Sequence, residues 1–171
     1  FKKKNFSSII DIGAGTGCIG ITIALEFPSS NIDIIDISKV ALQNTLKNIN
    51  HFSCRDRVNS YYCDILNSMP RSTYDIIVSN PPYIPTNEID ALDISVREHD
   101  PHDALTDYGD GMRFYQRIYD ISHHILNDNG RIIMEFSSYN QMNKIINCFQ
   151  EYKYIIHNDL NGDFRVIELN K

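Results

Sequence analysis

Short apolar runs rich in β-branched residues alternate along this chain with segments whose apolar residues recur at helical spacing. Strands that alternate with helices imply a mostly parallel sheet with helices on both faces, so the sequence predicts an α/β fold. The last two strands flank Asn161-Gly162, a typical hairpin turn, and we expect them to pair antiparallel. The seven predicted strands cover residues 7–12, 31–37, 58–63, 74–79, 131–136, 152–157 and 164–169.

The segments between the strands predict helices and one long connection. Helices are expected over residues 19–27, 112–126 and 141–149, and a further helix should follow Ser38, which can cap it. Asp128-Asn129-Gly130 predicts a turn before the fifth strand. The polar stretch 85–110 is too long for a simple connection, so we expect it to form a substrate loop or lid.

The length of 171 residues fits one domain with a full hydrophobic core. Hydrophobic residues make up 42% and charged residues 22%, which is ordinary for a globular protein. No apolar run approaches the roughly 20 residues of a membrane span, so we expect no membrane partner. Because the chain starts at Phe1 without an initiator methionine, we expect residues 1–171 to be a fragment of a longer protein.

The net charge argues against a nucleic-acid surface. The chain has 16 Lys and Arg against 22 Asp and Glu, a formal net charge of -6, whereas nucleic-acid-binding proteins usually present a basic face. The basic cluster Lys2-Lys3-Lys4 is interpreted as a solvated terminus, although a domain outside this chain could carry a basic surface. The 4 cysteines are scattered without a C-x-x-C pair, which argues against zinc or disulfides and favours a reducing, cytoplasmic location.

A glycine-rich loop follows the first predicted strand, where a helix should begin. Glycines there permit a tight turn and let a ligand approach the backbone. The segment 15–20 also satisfies the G-x-G-x-x-G pattern, so a nicotinamide or flavin dinucleotide is an alternative. Asp11 favours S-adenosylmethionine, since a carboxylate attracts its sulfonium and ammonium groups and would repel a pyrophosphate. The loop consists of Asp11, Ile12, Gly13, Ala14, Gly15, Thr16 and Gly17.

Acidic residues also follow the second and third predicted strands. Asp36 can accept hydrogen bonds from both ribose hydroxyls of either cofactor, and a helix-capping role is the alternative. Asp64 can accept from an adenine amino group with Ile65 against the ring, although an Asp at this place is commonly a turn residue. Ile37, next to Asp36, is included among the predicted cofactor contacts.

Asn80-Pro81-Pro82-Tyr83 follows the fourth predicted strand and predicts a site for a planar amide. Ligands of open parallel sheets bind beyond the carboxyl ends of the strands, so this motif and the glycine loop should share one crevice. An amide nitrogen is a poor nucleophile because its lone pair is delocalised, so it must be oriented. The Asn80 side-chain oxygen and the Pro81 carbonyl can accept hydrogen bonds from the two N–H groups of the amide, while the Tyr83 ring packs against the amide plane. A proline-rich turn without function is the alternative.

Two further features are interpreted as unrelated to the chemistry. The segment 99–103 contains donor residues for a metal, but their spacing matches no zinc pattern, and we expect no metal. Catalysis by orientation requires neither a metal nor a covalent intermediate. Cys18 follows the glycine loop, where we expect a small buried side chain and not a nucleophile.

The motifs together resemble the HemK/PrmC family of release-factor glutamine methyltransferases over nearly the whole chain. Two positions depart from the family pattern: Asp100 stands where the family usually has Glu, and Phe136-Ser137 where it usually has Ile-Gly. Beyond the two motifs, the residues that fall in the family's register are Pro101, Ala104-Leu105, Gly109-Asp110-Gly111, Phe114-Tyr115, Glu135, Gln141, Asp159-Leu160 and Arg165.

The resemblance implies a Rossmann-like class I methyltransferase fold and methylation of the glutamine in the Gly-Gly-Gln loop of peptide-chain release factors. Release factors would be the partners, this domain would not bind nucleic acid directly, and the family's N-terminal helical domain would be absent from residues 1–171. Methylation of an adenine or guanine amino group is the alternative, because such enzymes share the tetrapeptide, and some family members are fused to a transfer-RNA methyltransferase.

The resemblance also implies roles for individual residues. The predicted catalytic residues are Asn80, Pro81, Pro82 and Tyr83. The residues predicted to bind S-adenosylmethionine, and its product S-adenosylhomocysteine, are Asp11, Gly13, Ala14, Gly15, Thr16, Gly17, Asp36, Ile37, Asp64, Ile65 and Asn80.

Overall fold

The computed structural model describes residues 6–171, so the basic cluster Lys2-Lys3-Lys4 lies outside the described residues. The strands are β1 (Ser8–Ile12), β2 (Asn31–Asp36), β3 (Val58–Tyr62), β4 (Tyr74–Ser79), β5 (Leu126–Glu135), β6 (Lys153–Asn158) and β7 (Phe164–Asn170). The helices are α1 (Cys18–Glu26), α2 (Lys39–His51), α3 (Ile94–His99), α4 (His102–Leu105), α5 (Arg113–Ile125) and α6 (Tyr139–Cys148), with a 3-10 helix over Thr86–Ala91. None of the helices described in residues 6–171 is long and apolar enough to cross a membrane.

The strands form a single seven-stranded sheet in the order β3-β2-β1-β4-β5-β7-β6. The strands from β3 across to β5 pair in parallel, and β7 runs antiparallel to both of its neighbours. The predicted α/β class, the mostly parallel sheet and the antiparallel C-terminal pair are therefore confirmed. The hairpin between β6 and β7 contains Asn161-Gly162, where Gly162 has a φ of +93° and supplies the left-handed residue of the turn.

Alternate residues of the central strands divide the core into two layers. Ile9 on β1 belongs to a cluster with residues of α1 and α2, whereas its neighbour Ile10 belongs to a larger cluster with residues of α5 and α6. Side chains on a strand point to opposite faces in turn, so a strand buried on both faces reads as a continuous apolar run. This explains why β1 and β4 lack the polar alternation of a half-exposed strand.

Helix α2 begins where the sequence predicts. The Ser38 side-chain oxygen accepts a hydrogen bond from the Ala41 backbone N–H at 3.2 Å, which satisfies one of the free donors of the first turn. The polar stretch 85–110 contains the 3-10 helix, α3 and α4. We call residues 84–111 the lid segment below, and its role as a substrate lid stays a prediction.

The start of β5 differs from the prediction. The sequence places a turn at Asp128-Asn129-Gly130 and a strand from residue 131, but the strand begins at Leu126. Asn129 does have a left-handed φ of +58°, and the pairing with β4 is irregular there. Tyr74 pairs with Leu126 and Ile76 pairs with Arg131, so β5 has extra residues between these two pairs. The predicted turn is therefore a bulge-like excursion within β5.

The central strand β4 should dominate the stability of the fold. Ile77 on β4 is fully buried, and we expect Ile77→Ala to lower the free energy of unfolding by about 2–5 kcal/mol because it removes buried methyl groups and leaves a cavity. Ile155 on the edge strand β6 is 50% exposed and serves as a control, for which Ile155→Ala should cost less than about 1 kcal/mol. Urea unfolding of the two variants measures both changes, and equal losses would contradict this account of the core.

Candidate functional site

The glycine-rich loop and the Asn-Pro-Pro-Tyr motif lie side by side, as predicted. Ile12 at the end of β1 pairs with Ser79 at the end of β4, so both strands stop at the same edge of the sheet. The Ser79 side-chain hydroxyl is buried and donates a 2.8 Å hydrogen bond to the Ile12 carbonyl. The loop after β1 and the motif after β4 therefore leave neighbouring strand ends, where open parallel sheets bind ligands.

The glycine-rich loop exposes its backbone to open space. Gly13 and Gly15 have φ values of +67° and +58°, and a Cβ added at either position would meet no atom within 4 Å. Helix α2 fixes the loop from the other side, because the Thr45 hydroxyl donates to the Gly15 carbonyl at 2.9 Å and the Asn48 amide to the Thr16 carbonyl at 2.9 Å. The loop is thus a rigid cradle that a ligand can approach at backbone distance.

Asp11 lies beneath the glycine-rich loop and forms a hydrogen bond with the first turn of helix α1. Gly17 occupies the N-cap position without a side-chain cap, and the Asp11 carboxylate instead accepts a 2.8 Å hydrogen bond from the Gly20 backbone N–H in the first turn. A negative charge near a helix N-terminus is favourable. Asp11 is only 1% exposed, and this burial, with a smaller contribution from the negative charge of Asp36, raises its pKa to about 7 in spite of the Gly20 bond.

Asp36 bridges the glycine-rich loop and the start of α2. One carboxylate oxygen accepts from the Gly15 N–H at 2.8 Å and the other from the Ser38 N–H at 2.7 Å. The residue is partly exposed at the strand end, and carboxylate oxygens have lone pairs for further donors. The N-cap of α2 is Ser38, so Asp36 holds the turn ahead of the helix and does not cap the helix itself, and its contact with ribose stays a prediction.

The other predicted cofactor contacts, Ile37, Asp64 and Ile65, differ in their exposure. Ile37 is exposed beside Asp36, whereas Ile65 is 7% exposed and packs in the core layer with α5. The Asp64 carboxylate accepts from the Leu66 N–H at 3.1 Å and from the Asn67 amide at 2.7 Å, as a turn residue does. The turn geometry considered as the alternative for Asp64 is present, and a contact with adenine stays a prediction for both Asp64 and Ile65.

Asn80 presents a free amide at the tip of β4. Its side chain is exposed and forms no hydrogen bond with any residue in 6–171. Beside it lies a cavity of about 160 Å³. The residues that line this cavity, called the acceptor cavity below, are Asn80, Pro81, Tyr83, Ile84, Ala104 and Leu105. The motif and helix α4 of the lid segment thus enclose one small space.

Tyr83 is held at its hydroxyl and at its backbone. The hydroxyl donates to the Glu135 carboxylate at 3.0 Å, and burial together with the Glu135 charge raises the pKa of Tyr83 to about 12. The Tyr83 carbonyl accepts from the Gln141 amide at 2.9 Å, and the next N–H, of Ile84, donates to the Leu105 carbonyl at 2.9 Å. The Tyr83 ring therefore has a fixed position beside Asn80.

Sequence reasoning assigned no role to Glu135, Gln141 or Leu105, although all three fall in the family's register. Each contacts Tyr83 or its neighbour across a large separation along the chain, so local periodicity carries no signal for these contacts. A polar residue inside an otherwise apolar helix face, as at Gln141 on α6, is the one local hint, because buried polar groups need partners.

A larger cavity of about 360 Å³ lies on the α1 face of the sheet and reaches the site only at Ser79, Asn80 and Glu135. Its apolar lining offers few polar partners, so the glycine-rich loop is the better candidate for a nucleoside. Among the described residues, no group of three or more His, Cys, Asp and Glu side chains is placed to hold a metal. Cys18 is exposed, so the expectation of a buried side chain is wrong: it occupies the first residue of α1, on the solvent side.

Comparison with known proteins gives consistent matches. Residues 1–97 match the protein family described as "Methyltransferase small domain". A release factor glutamine methyltransferase of Clostridium botulinum is 35% identical over 175 residues, covering 99% of this chain and 62% of that protein. A bifunctional methyltransferase of Rickettsia bellii is 34% identical over 167 residues, covering 96% of this chain and 30% of that protein. The chain thus spans less than two thirds of the length of either relative.

Among solved structures, a methyltransferase from Pyrococcus furiosus superposes with a TM-score of 0.73 at 15% sequence identity, covering 100% of this chain and 77% of that chain. At this level of identity the likeness concerns the fold alone.

The raised pKa of Asp11 should make stability depend on pH. The folded protein holds this proton up to about pH 7, whereas the unfolded chain releases it near the ordinary Asp pKa of 3.8. Between these values the folded state binds more protons, so the contribution of Asp11 to stability falls as pH rises, by up to about 1.4 kcal/mol per pH unit, and is constant above pH 7. Asp11→Asn keeps an oxygen for the Gly20 N–H and should remove this slope.

Urea unfolding of the wild type and Asp11→Asn between pH 5 and pH 8 measures the effect. We expect the variant to gain stability relative to the wild type as pH rises towards 7. Asp56→Asn, an exposed position that leaves Asp11 intact, should retain the wild-type slope. A constant difference between the wild type and Asp11→Asn across this range would show that Asp11 is ionised throughout.

Proposed function

Because this chain belongs to the methyltransferase small domain family, and its relatives support membership of the HemK/PrmC family, we propose that it transfers a methyl group from S-adenosylmethionine to the side-chain amide nitrogen of a protein glutamine. The proposed acceptor is the glutamine of the Gly-Gly-Gln loop in peptide-chain release factors, as the name of the Clostridium botulinum relative suggests. The observation that carries the proposal is the unpaired Asn80 amide, which lies beside a small cavity and next to an open glycine cradle.

The glycine-rich loop and Asp36 are proposed to hold the cofactor. The open space over Gly13 and Gly15 fits a ligand that contacts the backbone, and the Asp36 carboxylate can accept from ribose hydroxyls. A ligand carrying positive charge would favour the ionised form of Asp11, which then supplies negative charge beneath the loop. Ile37, Asp64 and Ile65 are proposed to border the adenine. The bound cofactor would supply an electrophilic methyl group on a sulfonium.

The motif after β4 is proposed to orient the acceptor. The Asn80 side-chain oxygen and the Pro81 carbonyl accept hydrogen bonds from the two N–H groups of the amide. The lone pair of the nitrogen can then face the methyl donor. Pro81 and Pro82 fix the backbone that carries these acceptors, and the Tyr83 ring packs against the amide plane. Such positioning can lower a barrier by about 7–11 kcal/mol. The new bond from nitrogen to the methyl carbon would replace the bond from sulfur to that carbon, and the nitrogen would release one proton to water.

A second candidate is methylation of an exocyclic amino group of a nucleic-acid base. The Rickettsia bellii relative is named a bifunctional methyltransferase, and the planar amino group of a base could meet the same two acceptors. The formal charge of -6 counts against it, because nucleic-acid binding draws most of its affinity from basic side chains.

A labelled-methyl assay separates the two candidates. The protein is incubated with S-adenosylmethionine carrying a labelled methyl group and, in parallel, with a release factor, transfer RNA or DNA. We expect label on the release factor and loss of labelling when the glutamine of its Gly-Gly-Gln loop is replaced by Glu. Labelling of either nucleic acid in place of the release factor would overturn the proposal.

Asn80→Ala should abolish transfer while cofactor binding is largely kept, because the variant removes one of two proposed acceptors. Calorimetry with S-adenosylmethionine measures binding, and single-turnover labelling measures transfer. The matched control is Asn140→Ala, an exposed asparagine on α6. Wild-type turnover by Asn80→Ala would exclude the proposed mechanism.

Asp36→Ala should weaken binding of S-adenosylmethionine by about 1–3 kcal/mol, because hydrogen bonds to a charged group are lost. This corresponds to a rise in Kd of roughly 5- to 150-fold. Asp128→Ala at an exposed position is the control. Titration calorimetry gives both constants, and an unchanged Kd for Asp36→Ala would place the ribose elsewhere.

A further inference from the structure

Gln141 is the most fully paired buried polar side chain near the acceptor cavity. It lies in the first turn of α6 and is 5% exposed. Its amide nitrogen donates to the Tyr83 carbonyl at 2.9 Å and to the Gly111 carbonyl at 3.0 Å. Its amide oxygen accepts from the Ser137 N–H at 2.9 Å and from the Ser137 hydroxyl at 3.2 Å. One side chain therefore joins the motif after β4, the end of the lid segment and the turn before α6.

The contact between Tyr83 and Gly111 leaves no room for a side chain at position 111. Gly111 has a φ of +77°, and a Cβ added there would lie 2.3 Å from the Tyr83 carbonyl oxygen and 2.9 Å from the Gln141 nitrogen. The backbone of the lid segment thus packs directly against the Tyr83 carbonyl, with the Gln141 amide completing the enclosure. Burial of this carbonyl is tolerable because Gln141 supplies its hydrogen bond.

Fixing Tyr83 also fixes the two proposed acceptor atoms. The motif leaves β4 at Ser79, which is tied to β1 through its hydroxyl, and ends at Tyr83. Pro81 and Pro82 lie between, and each has a fixed φ, so little backbone freedom remains once both ends are held. A displacement of the Tyr83 end would move the Pro81 carbonyl and the Asn80 side chain. Displacements of about 1 Å in such groups can cost on the order of 10²-fold in rate.

Gln141 also couples the motif to the lid segment. The Ile84 N–H donates to the Leu105 carbonyl at 2.9 Å, and the Thr86 N–H donates to the Gly109 carbonyl at 3.0 Å, which are the other backbone links between the start and the end of this segment. Gln141 adds a third link at Gly111, where the segment ends and α5 follows. These links act together with the buried Asp107 carboxylate, which accepts from the Gly109, Gly111 and Arg113 N–H groups, to hold the part of the lid segment that carries Ala104 and Leu105.

We infer that Gln141 is a positioning residue, which does not touch the acceptor but holds the motif and the lid segment in the geometry that aligns the amide nitrogen for transfer. The expected effect of Gln141 on methyl transfer rests on the proposed function. The hydrogen-bond network itself is independent of which acceptor is used. Gln141 should therefore affect turnover far more than cofactor binding.

Two variants test this role. Gln141→Met preserves the length and approximate volume of the side chain but removes both donors and the acceptor. Gln141→Glu keeps the acceptor for Ser137 and, in its neutral form, one donor. We expect kcat to fall on the order of 10²-fold for Met and less for Glu, with Kd for S-adenosylmethionine within about threefold of wild type. Gln116→Met and Gln116→Glu, exposed on α5, are matched controls and should behave as wild type.

The measurement separates positioning from a loss of folded protein. Calorimetry with S-adenosylmethionine counts the folded sites, and kcat is expressed per site counted in this way. A residue needed only for folding would lower the number of sites and leave kcat per site unchanged, which would overturn the inference. A Kd that rises in proportion to the fall in kcat would also overturn it.

Hydrogen exchange provides a readout that needs no acceptor. We expect the Ile84 and Thr86 amides to exchange at least tenfold faster in Gln141→Met than in wild type or Gln116→Met, because the third link of the lid segment is lost. Unchanged exchange at both amides would refute the coupling. Failure of the wild type to methylate any release factor, with this exchange difference present, would instead contradict the proposed function alone.

Discussion

The parallel pairing of β1 with β4 is the constraint on which the site depends. Ile12 pairs with Ser79 at the ends of the two strands, and the buried Ser79 hydroxyl adds a hydrogen bond to the Ile12 carbonyl. Because both strands end at this level, the glycine-rich loop and the Asn-Pro-Pro-Tyr motif leave the sheet next to each other. A shift of the register would separate them, and it would also turn apolar side chains towards the wrong face of the sheet.

Carboxylates at the strand ends support both the fold and the proposed chemistry. Asp11 pairs with the start of α1, and Asp36 holds the glycine-rich loop against α2. Both lie where a cationic cofactor is proposed to bind, so a bound cation would favour the ionised form of Asp11 as well as that of Asp36. Burial of Asp11 without a cationic partner has a cost, visible in its raised pKa, which a positively charged ligand would reduce.

The acceptor side is arranged differently, by hydrogen bonds that fix Tyr83 and the residue after it. Tyr83 is fixed by Glu135 at its hydroxyl and by Gln141 at its carbonyl, and the Ile84 N–H is bonded to Leu105 of the lid segment. The Asn80 side chain forms no hydrogen bond with any described residue, and it lies at the strand end beside the acceptor cavity. A rigid frame around one free amide is what orientation of a weak nucleophile requires.

The sequence by itself determined the order of the seven strands and of the four longer helices, the antiparallel end of the sheet and the position of both motifs at strand ends. These features depend on local periodicity and turn chemistry, which each segment carries within itself. Local patterns also placed the irregularity at Asn129 correctly. They placed the start of β5 too late, because pairing with β4 begins at Leu126, before the turn residues. The sequence did not predict the 3-10 helix, α3 and α4 within the lid segment.

Only the tertiary structure decided which side chains meet. Gln141 reaches Tyr83 across 58 residues, and Glu135 reaches it across 52 residues, distances along the chain at which no local pattern operates. The burial of Ile65 was likewise decided by packing against α5. The physical reason is that periodicity encodes which face of an element is buried, whereas the partner on that face is set by strand order and by the space that neighbouring elements leave.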